Sequence, residues 1–241
     1  MAEIPNVYQD DRRAAAYAAL EFAGTYHLAF RDLPALIAKY VRGRRAVDFG
    51  CGTGRSTRFL KELGFETIGI DIAPEMIERA RKNDPRGDYR LLDADGLARM
   101  PEGLCDLILC AFPFDNIAPR ELKIRLLGQL RRLLGQDGRL INVVSSPEIY
   151  THEWASFSTK DFPENHHAQS GDPVRIITTV IEDSRPCVDI LCTDEEYRAI
   201  YESAGLAILE TCKPLARGDE PEKWVSETRI APWVIYVLGR R

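Results

Sequence analysis

The sequence lacks an excess of positive charge. Its 241 residues carry 32 lysines and arginines against 37 aspartates and glutamates, a formal net charge of −5. That balance argues against an electrostatic footprint for nucleic acid or an anionic membrane. The clusters Arg42/Arg44/Arg45 and Arg131/Arg132 read as solvated flanks of structural elements. No apolar run reaches transmembrane length, and Met1 to Arg13 holds no apolar signal region. The six cysteines, Cys51, Cys105, Cys110, Cys187, Cys192 and Cys212, form no C-x-x-C pair, so a zinc ribbon is not indicated. H-E-x-x-H is also missing, and no metal is expected. Several cysteines sit in apolar strand-like runs as small buried hydrophobes. A reducing, cytoplasmic compartment is expected.

What the chain does have is a core and a glycine turn. Hydrophobic content of 45% with 29% charged residues fits one large α/β domain, or one domain with a sizeable insert. Ala46-Val47 reads as the end of a buried strand. Gly50, Gly52 and Gly54 then fall on alternate positions, and a helix pattern follows through Phe59, Leu60 and Leu63 to a stop at Gly64. Only glycine lets the backbone turn that tightly and lets a ligand lie directly on it. The free N–H groups opening the helix then point at the ligand. Dinucleotide sites prefer G-x-G-x-x-G. Here Arg55 holds the third glycine position of that pattern, and Asp48 would repel a pyrophosphate but suits a cationic ligand.

The form D-x-G-x-G-x-G resembles motif I of the class I S-adenosylmethionine (SAM)-dependent methyltransferases. The resemblance covers residues 45 to 145 well and the last forty more loosely. It implies that Asp48, Gly50, Cys51, Gly52, Gly54 and Ser56 bind SAM. Strand two, Thr67–Ile70, ends at Asp71, 17 residues after Gly54. An acid there accepts from ribose hydroxyls, with Ile72 beside it. After strand three, Asp93-Ala94 resembles the adenine-binding pair of the family, and Asp95 is the alternative acid. Strand four, Leu104 to Cys110, leads into a lip with Ala111 and Phe112 on the cofactor side. The lip reads Ala-Phe-Pro-Phe rather than the Asp- or Asn-Pro-Pro of enzymes that methylate base amines, which again lowers a nucleic-acid reading.

Alternation of strands and helices predicts a Rossmann-like, seven-stranded, mostly parallel sheet with helices on both faces. The resemblance adds that the final strand runs antiparallel. Within a single domain, residues 1–43 are expected to be N-terminal helices, a lid over the cofactor or ordinary sheet-edge packing. Tyr17, Leu20 and Phe22 mark the first, Gly24-Thr25-Tyr26-His27 interrupts, and Pro34 opens the second. Residues 44–145 form the SAM-binding core, with Pro74 and Pro119 opening helices, Gly135 ending one and Gly138–Val144 as strand five. Residues 193–241 supply a last helix, opened by the capping box Thr193-x-x-Glu196, and two strands.

Residues 146–192 are an insert too long for a plain connection. Val174–Val180 and Cys187–Leu191 read as a strand pair. The insert also holds three of the four histidines. It is expected to cap the acceptor, a small molecule, with a homodimer interface as the alternative. Candidate acceptor contacts are Asn116, Tyr150, Glu153, Trp154 and His166; His152 or Asp115 is the candidate general base. Methyl transfer is an in-line displacement that needs mainly proximity and alignment. Two rival readings are a non-catalytic SAM-binding module and an NAD(P)-dependent oxidoreductase with a degenerate turn.

Overall fold

The computed structural model describes residues 22–93 and 95–241; the expectations for Tyr17, Leu20 and Ala94 lie outside them. Among the described residues two short helices come first, α1 (Thr25–Arg31) and α2 (Leu33–Tyr40). Gly24, at φ 62, is the cap of α1, so Thr25–His27 form its first turn rather than an interruption. The α/β core follows: β1 (Arg45–Phe49), α3 (Arg55–Glu62), β2 (Glu66–Asp71), α4 (Pro74–Asn83), β3 (Asp88–Leu91), α5 (Gly96–Arg99), β4 (Cys105–Ala111), α6 (Arg120–Leu133) and β5 (Leu134–Ser145). Pro74 stands in the first turn of α4, and Pro119 is the cap of α6. Gly135 does not end α6. The chain passes from Leu133 straight into β5, which begins irregularly against Cys105 before its register settles at Leu107↔Arg139.

These strands and the last two, β9 (Leu206–Cys212) and β10 (Trp233–Arg240), form one seven-stranded sheet ordered β3-β2-β1-β4-β5-β10-β9. All neighbours from β3 to β5 pair parallel, whereas β10 is antiparallel to both β5 and β9. Hence β10 alone runs against the rest. Side chains alternate between two cores, as the period of a strand requires. Leu107 and Leu109 face one core with α1, α2 and Leu60 of α3. Ile108 and Cys110 face the other, with Leu127, Leu130 and Leu133 of α6 and with Tyr197, Ile200 and Tyr201 of α7 (Asp194–Ser203). Thr193 caps α7 through Glu196 N at 3.3 Å.

Between β5 and α7 the chain builds a second, three-stranded sheet, β6-β7-β8, from β6 (Phe157–Ser158), β7 (Pro173–Thr178) and β8 (Cys187–Ile190). The β7–β8 pair is the expected one; β6 is an addition that two residues of sequence did not reveal. Tyr150, Trp154, Phe157, Val174 and Ile176 pack this unit onto the core that also holds α1 and α2. A twenty-residue connection, 213–232, crosses between β9 and β10 and ties the assembly together. Its Glu227 is fully buried and accepts from Thr25 Oγ1 (2.7 Å), Ala155 N (2.7 Å), Val225 N (2.9 Å) and Ser226 N (3.1 Å). Trp233 Nε1 also donates to the Thr25 carbonyl at 2.7 Å. Among the described residues no helix is long and apolar enough to cross a membrane.

Candidate functional site

The carboxyl ends of β1, β2, β4 and β5 meet at one edge, where parallel α/β sheets bind ligands. At β1 the chain turns through Gly50 (φ 72), Gly52 (φ 52) and Gly54 (φ 85) into α3. The three glycines are needed for different reasons. A Cβ on Gly50 would meet Pro113 at 2.6 Å, and one on Gly54 would meet the Tyr89 hydroxyl at 2.6 Å. A Cβ on Gly52 would meet nothing within 4 Å among the described residues, so this is a face on which a ligand can lie. Gly50 N and Cys51 N both donate to the Ile70 carbonyl, which locks the turn to the end of β2. Cys51 itself is buried beneath it.

Asp71 closes β2. Its carboxylate is half-buried and accepts from Gly52 N (2.8 Å) and Ala73 N (2.9 Å). Burial raises its pKa above the usual carboxylate value, and the backbone bonds pull it back. Each oxygen keeps capacity for a further donor, as ribose hydroxyls would require. Ile72 and Leu91 beside it are large apolar side chains left 66% and 48% exposed. Single exposed apolar residues are ordinary; two flanking the acid give a flat ring something to rest on.

Asp48 is fully buried under the turn. Its Oδ2 accepts from Ser56 Oγ (2.7 Å) and Thr57 Oγ1 (2.6 Å), so the acid ties β1 to the first turn of α3, and Ser56 is engaged there. Asp48 Oδ1 is buried with no hydrogen-bond partner among the described residues. Desolvation pushes this carboxyl up to about 6, against the two hydroxyls. Asp93 is exposed and paired with Arg99 at 2.6 Å, which lowers its pKa, and it accepts from Asp95 N at 3.1 Å. The glycine turn, Asp71 and the orphaned Asp48 oxygen fit a nucleoside carrying positive charge.

Beyond β4 the lip begins at Ala111. Phe112 has φ 71, the one non-glycine residue in the left-handed region among those described. Such a conformation costs roughly 1–3 kcal/mol and persists only where the surroundings impose it. Its N–H donates to Val143 O at 2.9 Å, and its ring packs on Trp233 (4.7 Å) and edge-on to Tyr26 (5.8 Å). Tyr26 also faces Arg55, whose guanidinium lies 4.8 Å from the Tyr26 ring centre, 5.4 Å from Phe30 and 5.7 Å from Phe22. Thus α1 touches both the glycine turn and the lip.

The acceptor-side residues expected from sequence are placed in three different settings. Asp115 is buried in the wall, accepting from Ser145 N (3.0 Å) and Ser145 Oγ (2.8 Å); desolvation raises its carboxyl to about 6. Tyr150 is buried and its hydroxyl donates to Asp189 at 3.0 Å, while Asn116 Nδ2 donates to the other Asp189 oxygen at 2.6 Å. Trp154 is a core residue with Nε1 on Ile149 O, 2.8 Å away. His152, Glu153 and His166 lie toward the surface. His152 Nδ1 is 3.1 Å from Thr151 Oγ1 and from Glu148 O; Glu153 accepts from Thr159 N at 2.6 Å within its own loop; His166 is exposed. Asp189 and Tyr26 escaped sequence reasoning. An acid inside a strand and an aromatic beside a helix start carry no local motif; only their partners, 39 to 73 residues away, mark Asp189. Among the described residues no three His, Cys, Asp or Glu side chains are grouped to hold a metal.

Comparison with known proteins agrees with this arrangement. Residues 47–142 match the family model described as a methyltransferase domain. A ubiquinone biosynthesis O-methyltransferase of Xanthomonas oryzae pv. oryzae (strain PXO99A) is 30% identical over 102 residues, spanning 41% of this chain and 41% of that relative. A protein of Pyrococcus horikoshii OT3 superposes with a TM-score of 0.64 at 18% identity, over 90% of this chain and 91% of its own. A SAM-dependent methyltransferase of Methanosarcina mazei does so with 0.61 at 15% identity, over 85% and 97%. At such identities the two structures speak for the fold.

Proposed function

Starting from a chain whose central segment belongs to the class I methyltransferase family, we propose that it binds SAM at the carboxyl edge of the sheet and methylates a small molecule. The observation that carries this is the Gly52 face. A backbone held at positive φ, with no described atom within 4 Å of where a Cβ would stand, is bonded from behind by the Asp71 carboxylate. When bound, SAM supplies a methyl group on a sulfonium, whose departure leaves a neutral thioether.

The chain's part is to bind and align. Asp71 receives the ribose hydroxyls. Asp48 places negative charge below the turn, and a neighbouring cation favours its ionised form. Ile72 and Leu91, with Asp93 to Asp95 beyond, flank the adenine. Ala111 and Phe112 form the wall between cofactor and acceptor. Asp115 fixes the end of β5 through Ser145. The insert, 146–192, covers the acceptor, with Asn116 and Tyr150 nearest the lip and Trp154 holding the insert to the core. The Xanthomonas relative's name is that of an O-methyltransferase, and a small-molecule acceptor is in keeping with the net charge of −5. Among the described residues no disulfide joins any of the cysteines, which supports a reducing, cytoplasmic setting.

The test is calorimetric titration with SAM and S-adenosylhomocysteine, followed by a search for S-adenosylhomocysteine release in the presence of candidate small molecules. Binding of both nucleosides with release on acceptor addition is expected. Binding without release to any acceptor would favour a regulatory module. A dimer broken by substitutions in the insert, with turnover intact, would reassign the insert to self-association.

A further inference from the structure

Lys123 stands in the first turn of α6, on the face that Leu127 and Leu130 turn to the sheet. The residue is 2% exposed, and among the described residues its Nζ has no hydrogen-bond partner. An ammonium sheds its water only where another charge or a ring compensates. Two groups do so here. Nζ lies 5.1 Å from the centre of the buried Tyr197 ring. The hydroxyl of that ring is 3.5 Å from Oδ1 of the buried Asp115, so lysine and acid flank one side chain. The groups turned toward Asp115 are donors: Ser145 N at 3.0 Å, Ser145 Oγ at 2.8 Å and the Tyr197 hydroxyl. Only the ionised carboxyl is acceptor-only and suits all of them. Burial opposes that charge, and the Lys123 charge favours it. Among the described residues the other ionisable groups facing Asp115 are Tyr150, Tyr197 and Cys192, each held neutral by burial.

We propose that Lys123 is the counter-charge of Asp115 and, through it, a positioning residue for the lip of the methyl-transfer site. The positioning role rests on the SAM reading above. Asp115 ends the short helical turn Pro113–Asp115, and its N–H donates to the Phe112 carbonyl at 3.1 Å. Its carboxylate holds the end of β5 through Ser145. On its other side the lip meets the glycine turn. Pro113 stands 2.6 Å from where a Cβ on Gly50 would be, and the Phe114 and Phe49 rings are 5.7 Å apart. Phe112, at φ 71, keeps its left-handed backbone only under such constraint. A charge in α6 thus fixes the wall against which the cofactor turn is packed. A buried pair of this kind has a characteristic response to substitution. Removing one partner strands the other charge, whereas neutralising both recovers most of the loss.

The test is a thermal-melt cycle with Lys123→Met, Asp115→Asn and the double variant, joined to calorimetric titration with S-adenosylhomocysteine, both run from about pH 7 to about pH 8.5. Each single variant is expected to melt about 10 °C below the wild type, and the double variant within a few degrees of it. In Lys123→Met the Asp115 carboxyl rises further, so the folded state keeps its proton to higher pH and stability falls as pH rises through the range. The double variant lacks that fall. Nucleoside affinity should run the other way. In Lys123→Met it is several-fold weaker than wild type at the lower pH, where a proton on Asp115 releases the lip, and it recovers at the higher. Should Lys123→Met not fold, recovery of the fold in the double variant supports the pair. A double variant no more stable than either single one, or a loss in Lys123→Met that is the same at every pH, as a merely structural lysine would give, would overturn the assignment. Failure of the wild type to bind S-adenosylhomocysteine would instead sink the SAM reading and leave the melting cycle to decide the pair.

Discussion

The glycine turn and the insert side of this molecule are built on different plans. The turn from Asp48 to Thr57 is largely local: ten consecutive residues supply the glycines, the buried acid and the hydroxyls that bind it. The insert side is assembled from distant pieces. Thr25, Ala155 and Glu227 meet on one carboxylate, and Asn116, Tyr150 and Asp189 meet on another. A local plan keeps its geometry through backbone conformation. A dispersed plan depends on buried polar groups, each of which is costly to leave unmade.

The largest effect is expected where the dispersed plan has its densest knot. Glu227→Ala would leave four donors from α1, the insert and the 213–232 connection without their acceptor. At roughly 1 kcal/mol each, the loss is about 4 kcal/mol, or a fall of about 10 °C in Tm. A melting temperature within a few degrees of wild type would show that the knot is not what holds these segments together.

On the local side, Asp71→Ala should bind SAM about a hundredfold more weakly, two hydrogen bonds to a charged group, with a smaller fall in melting temperature of about 5 °C from the two backbone donors, Gly52 N and Ala73 N, that lose their acceptor. An unfolded variant would break the contrast, because the turn would then depend on Asp71 for its stability. Unchanged affinity would show that the ribose lies elsewhere.

The buried acids give a third, smaller effect. Asp48 and Asp115 are each raised to about 6 from an ordinary 3.8, both by desolvation. A raised carboxyl means that the folded state binds more protons, so stability falls as pH rises through the window between about 4 and 6. Unliganded protein should therefore be more stable at pH 5 than at pH 7.5, by about 1 kcal/mol per acid. Carboxyls held low, such as Glu220 at about 2, keep their contribution between pH 5 and pH 7.5 and lose it only as the pH falls below about 4.5. Asp48→Asn should remove its share of the slope; a thermal-melt series with identical slopes in both proteins would contradict the burial argument. Smallest of all, His152→Ala should leave melting temperature and SAM affinity unchanged, since the ring contacts only its own loop among hydrogen-bonding groups. A large loss of SAM affinity would mean that the insert reaches the cofactor.

The same contrast explains what could be read from sequence. The strands, the helices between them and the parallel core of the sheet were legible because apolar period and glycine spacing are local properties; the reversed last strand came only from the family resemblance, and the strand order only from the structure. Asp71 was legible because it stands at a fixed place after the turn. Asp48 was found, but its hold on Ser56 and Thr57 was not, since nothing in the string says which hydroxyl faces it. Trp154, His152 and Glu153 formed one run of attractive residues, yet the first is core and the other two lie toward the surface. A run of neighbours in an irregular segment carries no information about facing. Asp189 and Glu227 had no motif at all, because their partners come from other segments.

The most direct test of the account is a calorimetric titration of the purified protein with SAM, S-adenosylhomocysteine and NAD. Micromolar binding of the first two, with a rise in melting temperature by mass action and no heat from NAD, is the expected result. Tight binding of NAD with none of SAM would contradict it.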